Sequence, residues 1–286
     1  MGELMADGNT YFGNSARLRL FKIAKYIVYL LLSFNIYLFL QEELLALSFT
    51  FADGIEPGQL IQAFSATIDT AAWVILLLMF ELETAVLSDR RIHGLVKLGL
   101  HGLRGLCYIA LVYAFTGYYQ ELVTLYQVSP LSVADVCSLA GGDYSLLVDL
   151  DEYVPLDAIN CAGLGQPVFT LDGFNILVDE QTLRSAEMLA WVDVINAADW
   201  LLVVVVLEVE VRLQLRGDLS DQVMNATKVA KLIIYAILFA CAGYWAYAGD
   251  WLDFYDAALW LFAFIFIELN VFEWQYETES EHPVAA

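Results

Sequence analysis

Residues 69–83 have the sequence DTAAWVILLLMFELE, and the same spacing of polar and aromatic residues returns twice further along the chain. Residues 196–210 are NAADWLLVVVVLEVE, and residues 256–270 are DAALWLFAFIFIELN. All three follow the pattern [DN]-x-A-x-W-x7-E-x-[EN]. A pattern that recurs at the same offsets indicates an internal repeat.

A shorter pattern, [KH]-x-x-[KR]-x-x-x-Y, precedes each copy of the longer one. It occurs as Lys22, Lys25 and Tyr29, as His101, Arg104 and Tyr108, and as Lys228, Lys231 and Tyr235. Each repeat therefore has two apolar segments, the first carrying the basic residues and the second carrying the tryptophan and glutamate. We predict three copies of one helical hairpin.

The composition favours a membrane protein. Of the 286 residues, 60% are hydrophobic and only 17% are charged, and the mean hydropathy is +0.62; such values are unusual for a soluble domain. A helix of about 20 apolar residues crosses a hydrocarbon core of ~30 Å. We therefore predict an all-α integral membrane protein with six transmembrane helices, at residues 22–40, 70–88, 102–120, 196–214, 228–248 and 255–274.

The basic residues predict the orientation. Of thirteen Lys and Arg residues, twelve lie at one set of span ends, and only Arg184 lies at the other. Because basic residues concentrate on the cytoplasmic side, we expect a multi-pass protein of the plasma (inner) membrane with both termini cytoplasmic. Residues 1–14 are polar and lack a signal-peptide pattern, so we expect the first span to be retained.

All three hairpins begin and end on the predicted cytoplasmic side, so the repeats are parallel. Their pseudo-symmetry axis then runs along the membrane normal, unlike that of inverted-repeat transporters. A closed ring and a linear row both agree with this arrangement, and the sequence does not specify the oligomeric state. The predicted organisation is a cytoplasmic segment 1–21, hairpin 22–88, a second hairpin 97–128 with 186–214, an acidic extracytoplasmic subdomain 129–185, hairpin 228–275 and a cytoplasmic tail 276–286.

The predicted subdomain contains two local signals. Residues 169–176 (FTLDGFNI) predict a β-hairpin with a tight turn at Asp172 and Gly173. Cys137 and Cys161 lie in this one segment on the oxidising side, so we expect them to form a disulfide. The other two cysteines lie within spans and are expected to be packing residues. Asp149, Asp151 and Asp157 could suggest Ca²⁺, but the EF-hand glycine and terminal glutamate are absent, which favours a solvated acidic face.

The intramembrane charges allow two interpretations. In the structural one, each hairpin contains an ion pair that receives a hydrogen bond from a tyrosine, because an unpaired charge at this depth costs at least ~2.5 kcal/mol. In the functional one, three glutamates surround a common axis and handle a cation or protons. The pairs are Glu81 with Lys25, Glu208 with Arg104 and Glu268 with Lys231, and the tyrosines are Tyr29, Tyr108 and Tyr235. Since these charges sum to zero, transport would require the pairs to open.

A second set of repeated residues is predicted to lie at the outer membrane boundary, where interfacial anchoring by aromatic side chains explains the tryptophans without a ligand. The set consists of Asp69, Trp73, Asn196, Trp200, Asp256 and Trp260.

The remaining sequence does not favour an enzyme. The three histidines, His93, His101 and His282, form neither an HExxH motif nor a pair suited to haem. We predict no cofactor and no metal, and the net charge of −22 excludes nucleic acid as a partner. The expected partner is the lipid bilayer. The alternative to cation or proton transport is a non-catalytic membrane scaffold whose acidic outer loop docks a basic protein surface.

Overall fold

The structure is a computed structural model that describes residues 15–51, 54–55, 58–83, 93–133, 135–216 and 221–281. The chain divides into two compact units. One comprises residues 1–35 with 251–286, and the other comprises residues 36–250. Arg90 and Arg91, which contribute to the predicted orientation, lie outside the described residues, as do residues 1–14 of the N-terminal segment.

Seven α-helices account for most of the described chain. The prolines within the described ranges, Pro130, Pro155 and Pro167, lie outside these helices, as expected because proline lacks the N–H that a helix interior needs. The helices are α1 (Ser15–Thr50), α2 (Leu60–Ala63), α3 (Ser65–Glu81), α4 (Gly94–Tyr126), α5 (Glu180–Arg216), α6 (Asp221–Ala248) and α7 (Trp251–Glu281).

Among the described residues, four helical segments are long and apolar enough to cross a membrane. They are Ala16–Thr50 in α1, Gly94–Tyr126 in α4, Glu180–Val206 in α5 and Asn225–Ala248 in α6. Their surfaces are rich in exposed leucine side chains, such as Leu98 and Leu232, which are 69% and 70% exposed. Water-soluble proteins rarely expose apolar surfaces on this scale. The chain therefore has several apolar helices of the kind found in membrane proteins.

Between α4 and α5 the chain forms a five-stranded sheet, which we call the sheet subdomain (residues 128–179). Its strands have the order β1-β4-β5-β2-β3. Neighbouring strands are antiparallel except β2 and β5, which are parallel. The strands are β1 (Val128–Pro130), β2 (Ser145–Asp149), β3 (Glu152–Pro155), β4 (Val168–Leu171) and β5 (Ile176–Asp179).

The sheet buries both of its faces, because successive residues of a strand point to opposite sides. On β5, Ile176 and Val178 face a core built with α4 and α5, whereas Leu177 faces a second core that includes Cys161. The first core joins the sheet directly to the helices through residues such as Leu122 and Leu183. The sheet subdomain is thus packed directly against the ends of α4 and α5.

The predicted disulfide and hairpin are both confirmed. Cys137 and Cys161 are bonded, with Cα atoms 5.2 Å apart, and β4 pairs with β5. The connection is longer than a tight two-residue turn: four residues, 172–175, separate the strands, Gly173 has φ +87° and the Phe174 N–H donates to the Leu171 carbonyl. The free cysteines Cys107 and Cys241 are buried.

The prediction of an all-α protein is wrong for the sheet subdomain. Only the β4–β5 hairpin has a local sequence signal. The strands β2 and β3 are short, with an irregular register between Leu147 and Asp149, and β2 pairs in parallel with β5, which follows it only after two intervening strands. Parallel pairing needs a long crossover connection, so no local sequence pattern predicts it.

Helix α4 approaches the α2–α3 segment unusually closely at Gly117. A methyl group on Gly117 would lie 2.6 Å from the carbonyl oxygen of Ile61 and 2.8 Å from Cβ of Ser65. Only the absence of a side chain permits this contact. Helix α4 also packs on α5, and α5 on α6, so α4 is central to the second unit.

Within the first unit, the described part of α1 contacts α7. The rings of Phe21 and Phe266 lie 5.5 Å apart in an edge-on arrangement. The buried Asn35 donates from Nδ2 to Oδ1 of Asp256 at 2.8 Å, which satisfies two polar groups within apolar helices.

Candidate functional site

The tip of the β2–β3 hairpin carries an aspartate towards the helices. Asp151 lies in this turn with φ +64°, and it is the one non-glycine residue with positive φ among those described. Aspartate tolerates this left-handed conformation better than most residues. The adjoining Tyr153 stacks on Phe49 of α1, with ring centres 6.0 Å apart. These contacts hold the tip of the hairpin against the helix bundle.

The carboxyl group of Asp151 lies within hydrogen-bonding reach of that of Glu121 of α4. An ionised carboxylate can only accept hydrogen bonds, so two carboxyl groups bond to each other only when at least one of them holds a proton. Burial raises the pKa of Asp151, and the negative charges of Asp250 and Asp149 raise it further, although the bond from Glu121 works in the other direction. Burial and neighbouring acids therefore favour a carboxyl pair that holds a proton.

Tyr153 adds a hydroxyl beside this pair. Burial raises the pKa of its phenol well above the ordinary value, and the charges of Asp151 and Glu121 raise it further. A phenol in this environment stays protonated and can act as a hydrogen-bond donor.

Glu43 of α1 caps the N-terminus of α3. Its Oε1 accepts hydrogen bonds from the backbone N–H of Ala66 at 2.7 Å and of Thr67 at 3.2 Å. The first N–H groups of a helix have no partner within it, and the helix dipole favours a negative charge there. The role of Glu43 is therefore at least partly structural.

Further carboxyl groups come from α5, from the connection between α6 and α7, and from a second residue of α1. Asp193 of α5 accepts a hydrogen bond from Nε1 of Trp245 at 3.0 Å, and Asp250, Asp151 and Glu42 act on it electrostatically. Asp151, Asp250 and Glu43 act electrostatically on Glu42 of α1. We call this set the carboxyl cluster: Glu42, Glu43, Glu121, Asp151, Asp193 and Asp250.

The cluster is acidic throughout. The two charges that raise the pKa of Asp151 through space, those of Asp250 and Asp149, both belong to acids, so binding a proton reduces the repulsion. Within the part of the chain that the structure describes, no three His, Cys, Asp or Glu side chains are arranged to hold a metal ion. Chemically, the arrangement can store, accept and release protons.

The predicted intramembrane residues are found in several environments. Lys25 is buried, and its Nζ lies 4.8 Å from the ring centre of Tyr26 and 5.9 Å from that of Tyr29. Glu81 is buried as well, at 6% exposure. Lys231 and Tyr235 are half-buried, whereas Tyr108 and Glu208 are exposed. The side chain of Glu268 lies outside the described residues.

Arg104 has a partner that the sequence did not predict. Its Nη2 lies 2.8 Å from Oε2 of Glu83, two residues beyond Glu81. The pairing of Glu208 with Arg104 stays a prediction, as do the pairings of Glu81 with Lys25 and of Glu268 with Lys231. Glu83 faces Arg104 because α3 and α4 pack directly on each other.

The residues predicted at the outer boundary are buried or half-buried. Trp200 and Trp260 are 8% and 6% exposed, and Asp69, Trp73, Asn196 and Asp256 are half-buried. The rings of Trp73 and Trp200 contact each other at 5.6 Å. Trp260 donates to Asp256, the acid one turn earlier. The tryptophans thus pack within the protein, and their location at the membrane boundary stays a prediction.

The carboxyl cluster was missed by the sequence analysis, although one signal was available. Glu42 and Glu121 lie the same number of residues beyond Lys25 and Arg104, so they occupy matching positions when the repeat is extended. Asp151 had no such signal, because a hairpin tip brings it to the helices.

No protein-family model, curated protein or solved structure matches the chain. Its function must therefore be inferred from its own geometry.

Proposed function

We propose that the chain is a six-span inner-membrane protein built from three parallel hairpin repeats, with cytoplasmic termini and an extracytoplasmic sheet subdomain. Equivalent positions of the three repeats support this arrangement. Leu32, Leu111 and Leu238 follow Lys25, Arg104 and Lys231 at one offset, and they are 0%, 1% and 2% exposed. The disulfide agrees with an oxidising environment for the sheet subdomain.

The function that the geometry supports best is proton handling, with the carboxyl cluster as the proton-binding site at the extracytoplasmic end of the helices. The observation that carries this proposal is the close approach of the Glu121 and Asp151 carboxyl groups, which can form a hydrogen bond with each other only when one of them holds a proton. Carboxyl groups that hold protons within an apolar helix bundle are typical of proton relays.

Helix α3 relates the cluster to the intramembrane glutamates. Its N-terminus is capped by Glu43 of the cluster, and Glu81 lies at its other end. At 1.5 Å per residue, the two ends are about 22 Å apart, which is most of a ~30 Å hydrocarbon core. In this proposal Glu81 and its repeat equivalents, Glu208 and Glu268, receive protons that the cluster supplies.

A proton-flux assay tests the proposal. The parent and the variants Glu121→Gln and Asp151→Asn are reconstituted in liposomes that contain a pH-sensitive dye, and an imposed pH gradient drives the flux. Asp143→Asn is the matched control, because Asp143 is an exposed acid of the same subdomain. We expect proton flux in the parent and in the control, and a rate at least ~10-fold lower in both cluster variants.

Thermal unfolding of each variant separates loss of flux from loss of folding. A parent that conducts no more than empty liposomes would overturn the proposal, as would unaltered flux in Glu121→Gln. Absent flux together with salt-sensitive capture of a basic partner would favour the scaffold interpretation instead.

A further inference from the structure

A cleft of about 650 Å³ lies where the sheet subdomain meets the helices α5 and α6. Its walls include Asp149 and Asp179 from the sheet, Thr182 and Ser185 from α5, and Tyr244 and Tyr247 from α6. All of these residues belong to the second unit. Cavities of this size accommodate small molecules or lipid head groups, and the carboxyl cluster and the intramembrane glutamates make no use of this one.

The charges lining the cleft are negative. The backbone N–H groups of Thr182 and Gly165 donate to the Asp179 carboxylate at 2.8 and 3.1 Å. Partial burial would raise the pKa of Asp179, but these amide donors outweigh it and lower the pKa below the ordinary value. Asp179 is therefore a permanent anion, and among the described residues the cleft has no lysine, arginine or histidine in its lining.

Two tyrosines also line the cleft. Tyr244 and Tyr247 lie three residues apart on α6, with ring centres 6.3 Å apart and ring planes at 51°. Tyr247 is 87% exposed, so its ring face is open to a ligand. Aromatic faces attract organic ammonium groups through their quadrupoles, whereas a small hard cation such as Ca²⁺ prefers six to eight oxygen ligands. Carboxylates and aromatic rings in the same lining favour an organic ammonium ion.

We propose that this cleft binds an ammonium group, primary or quaternary, between the carboxylates of Asp149 and Asp179 and the rings of Tyr244 and Tyr247. The hydroxyls of Thr182 and Ser185 supply hydrogen-bond partners for the polar remainder of the ligand. Since the cleft lies at the ends of membrane helices, the same chemistry fits a zwitterionic lipid head group or a free amine from solution. This inference is independent of proton handling.

Two arms of one experiment distinguish the sources. In the first, the protein in phosphatidylglycerol nanodiscs is titrated with radiolabelled choline and with ethanolamine. In the second, the protein is released from nanodiscs of mixed phosphatidylethanolamine and phosphatidylglycerol, and native mass spectrometry identifies the retained lipid. Saturable binding of choline or ethanolamine identifies a free amine, and selective retention of phosphatidylethanolamine identifies a lipid.

The variants are Asp149→Asn and Tyr247→Leu, and the control is Tyr119→Leu, which removes an exposed tyrosine of α4 that is outside the cleft. We expect the dissociation constant, or the lipid retention ratio, to worsen at least ~10-fold in both cleft variants and not in the control. If neither arm detects an ammonium ligand in the folded parent, the proposal is wrong. Equal binding by the parent and both cleft variants overturns it as well.

Discussion

The indole rings of Trp73 and Trp200 contact each other, with centres 5.6 Å apart and planes tilted by 55°. The two residues hold the same position of the Trp-x7-Glu pattern, one in α3 and the other in α5. Both helices pack on α4, and Trp73 packs against a small core of Ala72, Cys107 and Leu111. Contact between equivalent residues is what neighbouring repeats around a common axis would produce.

This contact predicts an energetic coupling. Aromatic pairs stabilise proteins by about 0.5–1.5 kcal/mol beyond the area they bury. In a double-mutant cycle of Trp73→Leu and Trp200→Leu, we expect the two losses of unfolding free energy to be non-additive by about this amount. Trp191→Leu is the control partner, because Trp191 lies on the same helix about 13 Å from Trp200 along the axis. Additive losses for Trp73 and Trp200 would contradict the contact.

Two glycines of α4 should respond to alanine in opposite ways. Gly117→Ala places a methyl group against the Ile61 carbonyl, and overpacking of this kind costs about 1–3 kcal/mol. Gly105→Ala meets open space and should gain up to ~1 kcal/mol, since alanine favours helix. Thermal unfolding in detergent compares them. Equal stability of the two variants would show that α4 does not approach the α2–α3 segment closely.

Asp151 predicts a pH dependence of stability. Because its pKa is raised in the folded protein, the folded state binds its proton more tightly than the unfolded state does. The contribution of this proton to the stability of the folded state is complete at pH values below the ordinary pKa of about 3.9. It is lost as the pH rises through the raised pKa of the folded state. Asp151→Asn should therefore gain stability relative to the parent as the pH rises between these two values, at a rate of up to about 1.4 kcal/mol for each pH unit.

Urea unfolding at a series of pH values measures this difference, with Asp143→Asn as the control. Asparagine is the chosen substitution because it also tolerates the left-handed backbone of residue 151. If the difference between the parent and Asp151→Asn is the same at every pH, Asp151 has an ordinary pKa, and the account of the carboxyl pair fails.

The four cysteines should separate by reactivity. Cys137 and Cys161 are bonded, whereas Cys107 and Cys241 are free and buried at 3% and 6% exposure. We expect no alkylation in native membranes, two alkylated cysteines after denaturation without reductant, and four after denaturation with it. Mass spectrometry assigns the sites. Alkylation of Cys137 without reductant would contradict the disulfide, whose removal should cost about 2–4 kcal/mol.

The sequence predicted the features that depend on local pattern or simple chemistry. Runs of apolar residues marked the helices, and two cysteines in one acidic loop indicated their own pairing. The carboxyl cluster depends instead on tertiary pairing. Asp151 reaches Glu121 only because the sheet aligns β2 beside β5 and packs on α4 and α5. No spacing along the chain relates these two acids.

The pairing of Arg104 shows a second limit. Depth within the membrane was enough to expect a carboxylate near this base, but Glu81, Glu83 and Glu208 all lie at similar predicted depths. Which of these glutamates pairs with Arg104 depends on the rotation of α3 and α5 about their own axes. Side-chain packing sets that rotation. A membrane helix is apolar on most of its surface, so its sequence has little amphipathic pattern from which the rotation could be predicted.

The central claim is that Glu121 and Asp151 share a proton under conditions in which exposed carboxyl groups are ionised. Infrared spectroscopy measures this directly, because a protonated carboxyl group has a C=O stretch that an ionised one lacks. At about pH 6, well above the ordinary pKa of either acid, we predict a protonated carboxyl band in the parent and in Asp143→Asn. The band should lose intensity in Glu121→Gln and in Asp151→Asn. A parent without this band at this pH, or a band of equal intensity in all four proteins, would contradict the claim.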